Sequence, residues 1–384
     1  MIYFDQAASS YPKPPEVAEA MVQAVNEIGA NPGRGSHRLA RTAADLITGT
    51  REKAARLFGC SNPKQALFFA NATAALNQAI KGFTWSAGDH VIATTFEHNS
   101  IRRPLEHIKH EHGVNITYIT WDGDESAFIR RVEESITAKT KLIAMSHASN
   151  VTGTVFPVGQ TAHVAKKKHI PLLVDASQTA GHIPIDMKEM GIDMLAFPGH
   201  KGLLGPQGTG MLLVNGDVDL QPLLHGGTGR FSEEPLQPAQ WPEKLESGTL
   251  NTPGIAGLQA ALAFHETREQ ENVPRETMLS QVLLQGLKQI EGVTCYEPVG
   301  QGLHMPIVAF NVLDIPSQEV AMILDSHYDI AVRAGLHCSP LTHEMLETMD
   351  RGVIRASFSL YNNEAEVEQF LHAIGEITES YKVI

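Results

Sequence analysis

Residues 172–178 read LLVDASQ, and residues 194–210 read MLAFPGHKGLLGPQGTG. Each opens on a short apolar run that stops at a polar residue, Gly or Pro, the pattern of a strand buried on both faces of a parallel sheet. Ligands of such sheets gather at the carboxyl ends of the strands, which is where Asp175 and Lys201 fall. A buried carboxylate and a lysine on neighbouring strand ends are what a pyridoxal phosphate site needs. The lysine holds the aldehyde as a Schiff base, and the acid keeps the pyridine nitrogen protonated so that the ring accepts electrons. A strand-end lysine alone is more often structural or solvated. Gln178 upstream and GPQGTG at 205–210 downstream favour the site.

Outward from these strands, residues 65–215 alternate apolar runs with helical stretches. ALFFA precedes a helix from Thr73, HVIATT a helix near 100–112, and ITYIT and KLIAMS a helix near 158–169; PLLVD, DMLAF and GMLLV follow. Alternation of this kind predicts an α/β unit with a mainly parallel sheet. Helical patterns at about 16–28 and 39–58 come before it, and Pro12, Pro14 and Pro15 keep the first fifteen residues extended. Residues 226–248, rich in Pro, Glu and Gly, read as a long irregular connection.

After Pro253 the pattern changes to helices at about 254–272 and 274–290, then strands VTCYE, PIVAFNV, DIAVR and VIRASF among further helices. Asn363 with Glu366 three residues on marks the N-terminus of the last helix. The expected division is a large α/β unit over 16–253 and a smaller α+β unit over 254–384 that takes in residues 1–15.

A chain of 384 residues buries a large core, and 42% hydrophobic with 19% charged residues describes an ordinary globular protein. Thirty basic against 43 acidic residues give a net charge of −13, which argues against nucleic acid or an anionic membrane as partner. No apolar run approaches the roughly 20 residues that span a bilayer, and MIYFDQAASS lacks the features of a signal peptide. Cys60, Cys295 and Cys338 are too few and too scattered for a disulfide framework or a metal site. A cytoplasmic setting is expected.

VDASQ followed by GHK resembles the fold-type I pyridoxal phosphate enzymes of the class V aminotransferase family. Within that family RAGLHC at 333–338 resembles the NifS-like cysteine desulfurases, in the group that includes selenocysteine lyases. The resemblance runs from FDQAASSYPKP to VIRASFSLYN and implies a homodimer. It assigns roles residue by residue. Lys201 carries the cofactor, Asp175 faces its ring nitrogen, Gln178 its phenolic oxygen, and His98 in FEHNS lies over the ring. Ala72 and Thr73, at a strand-to-helix turn suited to anions, and His200 bind phosphate. Thr249 in ESGTLNTP reaches the phosphate in the neighbouring subunit. Asn150 lies near substrate carboxylate and cofactor, Arg355 clamps that carboxylate, Arg333 shapes the site, and Arg34 and His37 lie near it. Many relatives carry a Ser two residues before the histidine of GHK. Pro198 stands there in this chain, removing a hydrogen bond of about 1.5–3 kcal/mol.

Cys338 discriminates among activities. A cysteine after His337 in a Gly-containing loop is poorly placed for a core, whereas Cys60 and Cys295 read as small buried hydrophobes. An exposed thiol beside His337 or Arg333 would have its thiolate favoured. The implied activity is conversion of L-cysteine, or L-selenocysteine, to alanine with sulfur passed to Cys338 and then to an acceptor such as a protein. An epimerase or carbon–sulfur lyase in which Cys338 is incidental, and a non-catalytic scaffold, are the competing readings.

Overall fold

The computed structural model describes residues 1–33, 35, 37–267, 272–300 and 302–382. In chain order the first part comprises β1 (Ile2–Tyr3), α1 (Pro15–Glu27), α2 (Arg38–Leu57), β2 (Ala66–Phe69), α3 (Ala72–Lys81), β3 (His90–Thr94), α4 (Asn99–His112) and β4 (Asn115–Ile119). It continues through α5 (Glu125–Ser135), β5 (Thr140–Ser146), α6 (Val158–Lys167), β6 (Leu172–Asp175), α7 (Met187–Met190), β7 (Met194–Pro198) and β8 (Gly210–Val214). The second part holds α8 (Thr252–Thr267), α9 (Asn272–Lys288), β9 (Val293–Tyr296), β10 (Ile307–Val312), α10 (Ser317–Tyr328) and β11 (Ile330–Ala331). It ends with β12 (Arg333–Gly335), α11 (Pro340–Met345), β13 (Val353–Ser357) and α12 (Glu364–Lys382).

The apolar runs pair as the alternation requires. A seven-stranded sheet has the order β2-β8-β7-β6-β5-β3-β4, and β7, β6, β5, β3 and β4 are parallel neighbours. β8 runs antiparallel to both β7 and β2, because a short loop rather than a crossover helix joins it to β7. From β3 the chain steps outward to β4, while β5 lies on the other side of β3. That reversal opens a crevice at the carboxyl ends of β3 and β5, the place where ligands of open α/β sheets bind.

β12-β13-β10-β9 form a separate antiparallel sheet. Leu279, Leu283 and Leu287 of α9 and Phe370, Ile374 and Ile377 of α12 pack in its core. The start of α12 is a capping box: Glu366 N donates to Asn363 Oδ1 at 3.2 Å and Asn363 N to a Glu366 carboxylate oxygen at 3.0 Å. DIAVR, expected as one strand, divides at Val332. β11 pairs in parallel with β1, and β12 joins the four-stranded sheet. α8 starts where the smaller unit was expected to begin, yet its Ile255, Leu258 and Leu262 lie in the core against the larger sheet.

The N-terminal segment ties these layers together. β1 pairs with β11, Ala7 N donates to Ser357 Oγ at 2.9 Å, and Ser10 N donates to His200 O at 2.9 Å. The irregular connection over 226–248 is fixed at its far end by a buried ion pair between Arg51 of α2 and Glu246. Arg51 Nη1 lies 2.8 Å from Glu246 Oε1, which also accepts from Phe68 N of β2 at 2.6 Å. Arg51→Leu leaves the Glu246 carboxylate buried without its partner, so it should cost about 3–5 kcal/mol, and Arg51→Leu with Glu246→Leu should recover part of that loss. Chemical denaturation of both variants measures the difference.

Candidate active site

Lys201 sits in the tight loop between β7 and β8. Gly199 N donates to Thr209 O at 3.0 Å, Gly205 N to Gly199 O at 2.7 Å and Leu204 N to Lys201 O at 2.8 Å. Two glycines make this closure possible: a Cβ on Gly199 would lie 2.2 Å from Thr209 Oγ1, and one on Gly210 would lie 2.5 Å from the backbone of Asn71. β8 therefore passes directly beneath the start of α3.

Asp175 ends β6, whose parallel neighbour β7 leads into that loop, with Asp175 opposite Ala196. Ser177 N donates to Asp175 Oδ1 at 2.8 Å. Burial raises the Asp175 pKa, while Ser177 and the Lys201 charge act against it. Burial lowers the Lys201 pKa to about 8, with Asp175 pulling it upward and Arg355 and Arg333 pushing it further down.

The two groups share a cavity of about 150 Å³, which Ala72, Thr73, His98, Asn150, Gln178 and His200 also line. Asn71 caps α3 by accepting from Ala74 N at 2.9 Å, so the helix starts at Ala72, one residue before the expected Thr73. The helix leaves the Ala72 and Thr73 N–H groups without internal partners, and the helix dipole favours an anion there. The buried His200 Nδ1 also lacks a hydrogen-bond partner. Pro198 lines the same cavity without an N–H to offer. An anion site at one side, a buried carboxylate and a desolvated lysine fit the phosphate, ring nitrogen and aldehyde of pyridoxal phosphate.

His98 is the N-cap of α4, its Nδ1 accepting from Ser100 N at 3.1 Å. Nδ1 is thereby unprotonated and Nε2 carries the hydrogen. Burial, with Lys201 and Arg333 nearby, drives the His98 pKa down to about 3, so the ring is neutral. Ser100 Oγ lies 2.9 Å from His98 Nδ1 and 2.7 Å from Thr73 Oγ1. Gln178 donates through Nε2 to Ala7 O at 3.3 Å, which leaves its second amide hydrogen for the cavity.

Sequence reasoning passed over Ser100, Ser146 and Ser177, which line the cavity, and Glu97, which is hydrogen-bonded to Ser146. Glu97 is fully buried and accepts from Thr94 Oγ1 at 2.5 Å, Ser146 N at 2.9 Å and Ser146 Oγ at 2.7 Å. Burial lifts its pKa to about 7, with Asp175 adding to the rise. Its place directly before His98 at a strand end was the available signal.

Asn150 faces the cysteine loop. Its Nδ2 donates to His337 O at 2.8 Å and its Oδ1 accepts from Ser339 Oγ at 2.6 Å, so it grips both neighbours of Cys338. Arg355 is buried, donating from Nη1 to Asn150 O at 2.8 Å and from Nη2 to Asp5 Oδ1 at 3.0 Å, with Nε unpaired. It is not among the residues lining the cavity, and Asp5 holds part of the fork expected to bind a carboxylate. Arg333 stands opposite Arg355 across β12 and β13. Burial, against the pull of Asp5 and with a push from Arg333, lowers the Arg355 pKa to about 10.

Cys338 is exposed and, with His337, has a left-handed backbone, φ 59° after φ 48°. Consecutive non-glycine residues in this region carry strain, held here by Asn150 and by Asn99 N donating to Cys338 O at 2.8 Å. His337 is not the cationic neighbour expected for the thiol. It is buried, with Nε2 donating to Val353 O at 3.0 Å, and burial holds its pKa well below the ordinary value. Cys60 is buried as expected. Cys295 is half-buried, its thiol pushed up to about 11, chiefly by burial.

Thr249 and His37 lie apart from this cavity. Thr249 is exposed, accepts from Asn31 Nδ2 at 3.3 Å and lines a separate cleft of about 470 Å³ with residues 227–230. His37 is exposed and caps α2 by accepting from Ala40 N at 3.3 Å. Arg34 lies outside the described residues.

The chain is 33% identical over 383 residues to a probable cysteine desulfurase of Methanothermobacter thermautotrophicus, covering 98% of this chain and 94% of that protein. It is 33% identical over 393 residues to a probable cysteine desulfurase of Pyrococcus abyssi, covering 100% and 95%. The apo structure of the cysteine desulfurase from Thermococcus onnurineus NA1 matches with a TM-score of 0.91 at 32% identity, covering 99% of this chain and 95% of that one. The aminotransferase class V family profile matches residues 2–370, and the chain belongs to that family.

Proposed function

We propose that the protein is a pyridoxal phosphate-dependent cysteine desulfurase that converts L-cysteine to L-alanine and receives the sulfur on Cys338 as a persulfide. One observation carries this reading: the Lys201–Asp175 cavity and the Cys338 loop meet at a common rim. A cleft of about 320 Å³ beside the cavity is lined by Cys338 together with Thr73, His98 and Ser100.

The amides of Ala72 and Thr73 with His200 would hold the phosphate, Asp175 would face the protonated ring nitrogen, Gln178 would donate to the phenolic oxygen, and Lys201 Nζ would carry the covalent attachment. When bound, the cofactor supplies an electron sink that acidifies the substrate Cα–H. Lys201 Nζ is the base for that proton, its pKa brought by burial to about 8. His98, neutral, offers Nε2–H for proton delivery. The Cys338 thiolate attacks the substrate sulfur, the Cβ–S bond breaks, and Cβ takes a proton to become the methyl group of alanine. Arg355 and Arg333 supply the positive charge for the substrate carboxylate, which has to share Arg355 with Asp5.

The protein acts as a homodimer on this reading, with Thr249 reaching the other subunit's phosphate and making up for the hydroxyl missing at Pro198. The position of Thr249 away from its own subunit's cavity supports that role. On the same reading Arg34 and His37 serve the substrate site. The sulfur acceptor is a protein, and the setting is cytoplasmic; among the described residues, no helix is long and apolar enough to cross a membrane.

Borohydride reduction of the loaded enzyme should fix the cofactor to the peptide carrying Lys201, and Lys201→Ala should abolish both that adduct and turnover. A neutral amine is required for attachment, so the rate at which apo protein acquires its visible band should rise with pH through about 8 rather than through the ordinary 10.5. Stopped-flow absorbance reads that profile, and a midpoint near the ordinary value would contradict it. Thr249→Ala should release cofactor faster on dialysis while remaining a folded dimer, and a fully active monomer would refute the cross-subunit role. Cys338→Ser should retain cofactor and bind L-cysteine yet lose alanine formation almost entirely, since a hydroxyl is a poor nucleophile toward sulfur. Mass spectrometry of the wild-type protein after exposure to L-cysteine should find extra, reductant-labile sulfur on the Cys338 peptide. Alanine production by Cys338→Ser at the wild-type rate would overturn the mechanism.

A further inference from the structure

Cys338 opens on its outer side into a groove whose charge is opposite to that of the chain as a whole. Two adjoining clefts, of about 560 Å³ and 320 Å³, share Cys338, Asn99 and Arg103. Arg102 lines the first, and Lys81 and His107 line the second. Among the described residues, Arg102, Arg103 and Lys81 have no ion-pair partner. The acid in the groove, Glu106, is already engaged: Tyr118 Oη donates to it at 3.1 Å and Lys109 lies 3.6 Å away. With a net charge of −13 on the chain, a strip of unpaired cations beside an exposed thiol is a local exception. A strip of this kind speeds the encounter with anions and repels cations.

Resting on the desulfurase reading above, we propose that this groove seats an extended acidic segment of the acceptor protein, bearing the cysteine that removes sulfur from Cys338. The two clefts, both lined by Cys338, Asn99 and Arg103, together suit a chain of several residues better than a small thiol. The transfer balances without an added oxidant. The acceptor thiolate attacks the outer sulfur of the Cys338 persulfide, the bond between that sulfur and Sγ breaks, and Cys338 leaves as thiolate. A new persulfide forms on the acceptor, and the proton lost by its thiol is available to Cys338.

Holoenzyme given L-cysteine would be offered a short synthetic peptide with one Cys flanked by Asp and Glu, the same peptide with Asn and Gln in their place, and mercaptosuccinate. The acidic peptide should discharge Cys338 at least about tenfold faster than the amide peptide at low salt, with the advantage shrinking at high salt. Arg102→Gln with Arg103→Gln should reduce that advantage, and Arg102→Glu with Arg103→Glu should abolish it, while Cys338 still loads with sulfur. Equal discharge by the two peptides, or an advantage that survives charge reversal, would overturn the acidic-segment assignment; mercaptosuccinate matching the acidic peptide would place a small anionic thiol in the groove instead. If Cys338 never loads, the desulfurase reading fails separately. A fluorescent acidic peptide with Ser for Cys then still tests the groove: binding to the wild type but not to the charge-reversed variant supports it, and no binding refutes it.

Discussion

Asp175 and Lys201 bring opposite charges out of water at the ends of adjacent parallel strands, and much of the site follows from making that burial tolerable. Burial disfavours the charged form of each, and each is the other's compensating charge. Keeping them together demands the tight β7–β8 loop, and that loop demands Gly199 against Thr209 and Gly210 against Asn71. The same close approach brings β8 beneath the first turn of α3, so the pairing of charges and the placement of the α3 N-terminus at the cavity are one packing solution. His200 O, at the turn itself, accepts from Ser10 N and Ser10 Oγ, which brings the N-terminal segment to the cavity.

How far this was legible in the sequence depends on the range of the interaction. The parallel strands, Asp175, Lys201 and the start of α3 announce themselves locally, because each combines an apolar run with a turn. The capping box at Asn363 and Glu366 was readable for the same reason, its two hydrogen bonds lying within four residues. The antiparallel course of β8 was not, since an apolar run has no direction. Nor was the break in DIAVR, where one short run serves two sheets.

Long-range pairings account for what the sequence concealed. Asp5 and Arg355 meet across almost the whole chain, and so do Ala7 and Ser357. An arginine at 1% exposure needs such a partner, yet nothing near Arg355 in sequence supplies one. His337 misled because adjacency in sequence to Cys338 suggested adjacency of charge. The left-handed backbone at both residues turns the imidazole inward to Val353 O and the thiol outward.

That division of the loop explains its strain. Two consecutive left-handed non-glycine residues cost about 1–3 kcal/mol each, and a flexible loop would relax. Asn150 prevents it by holding His337 O and Ser339 Oγ, and α4 prevents it by donating its first amide to the Cys338 carbonyl. Asn150 follows β5 and Asn99 follows β3, the two strands that flank the crevice. The thiol is therefore referenced to the same pair of strand ends that frame the Lys201 cavity, although it belongs to the four-stranded layer by sequence. A shift between the two layers would be resisted at Cys338 and at Arg355 alike, because Asn150 ties both to the layer that holds the lysine.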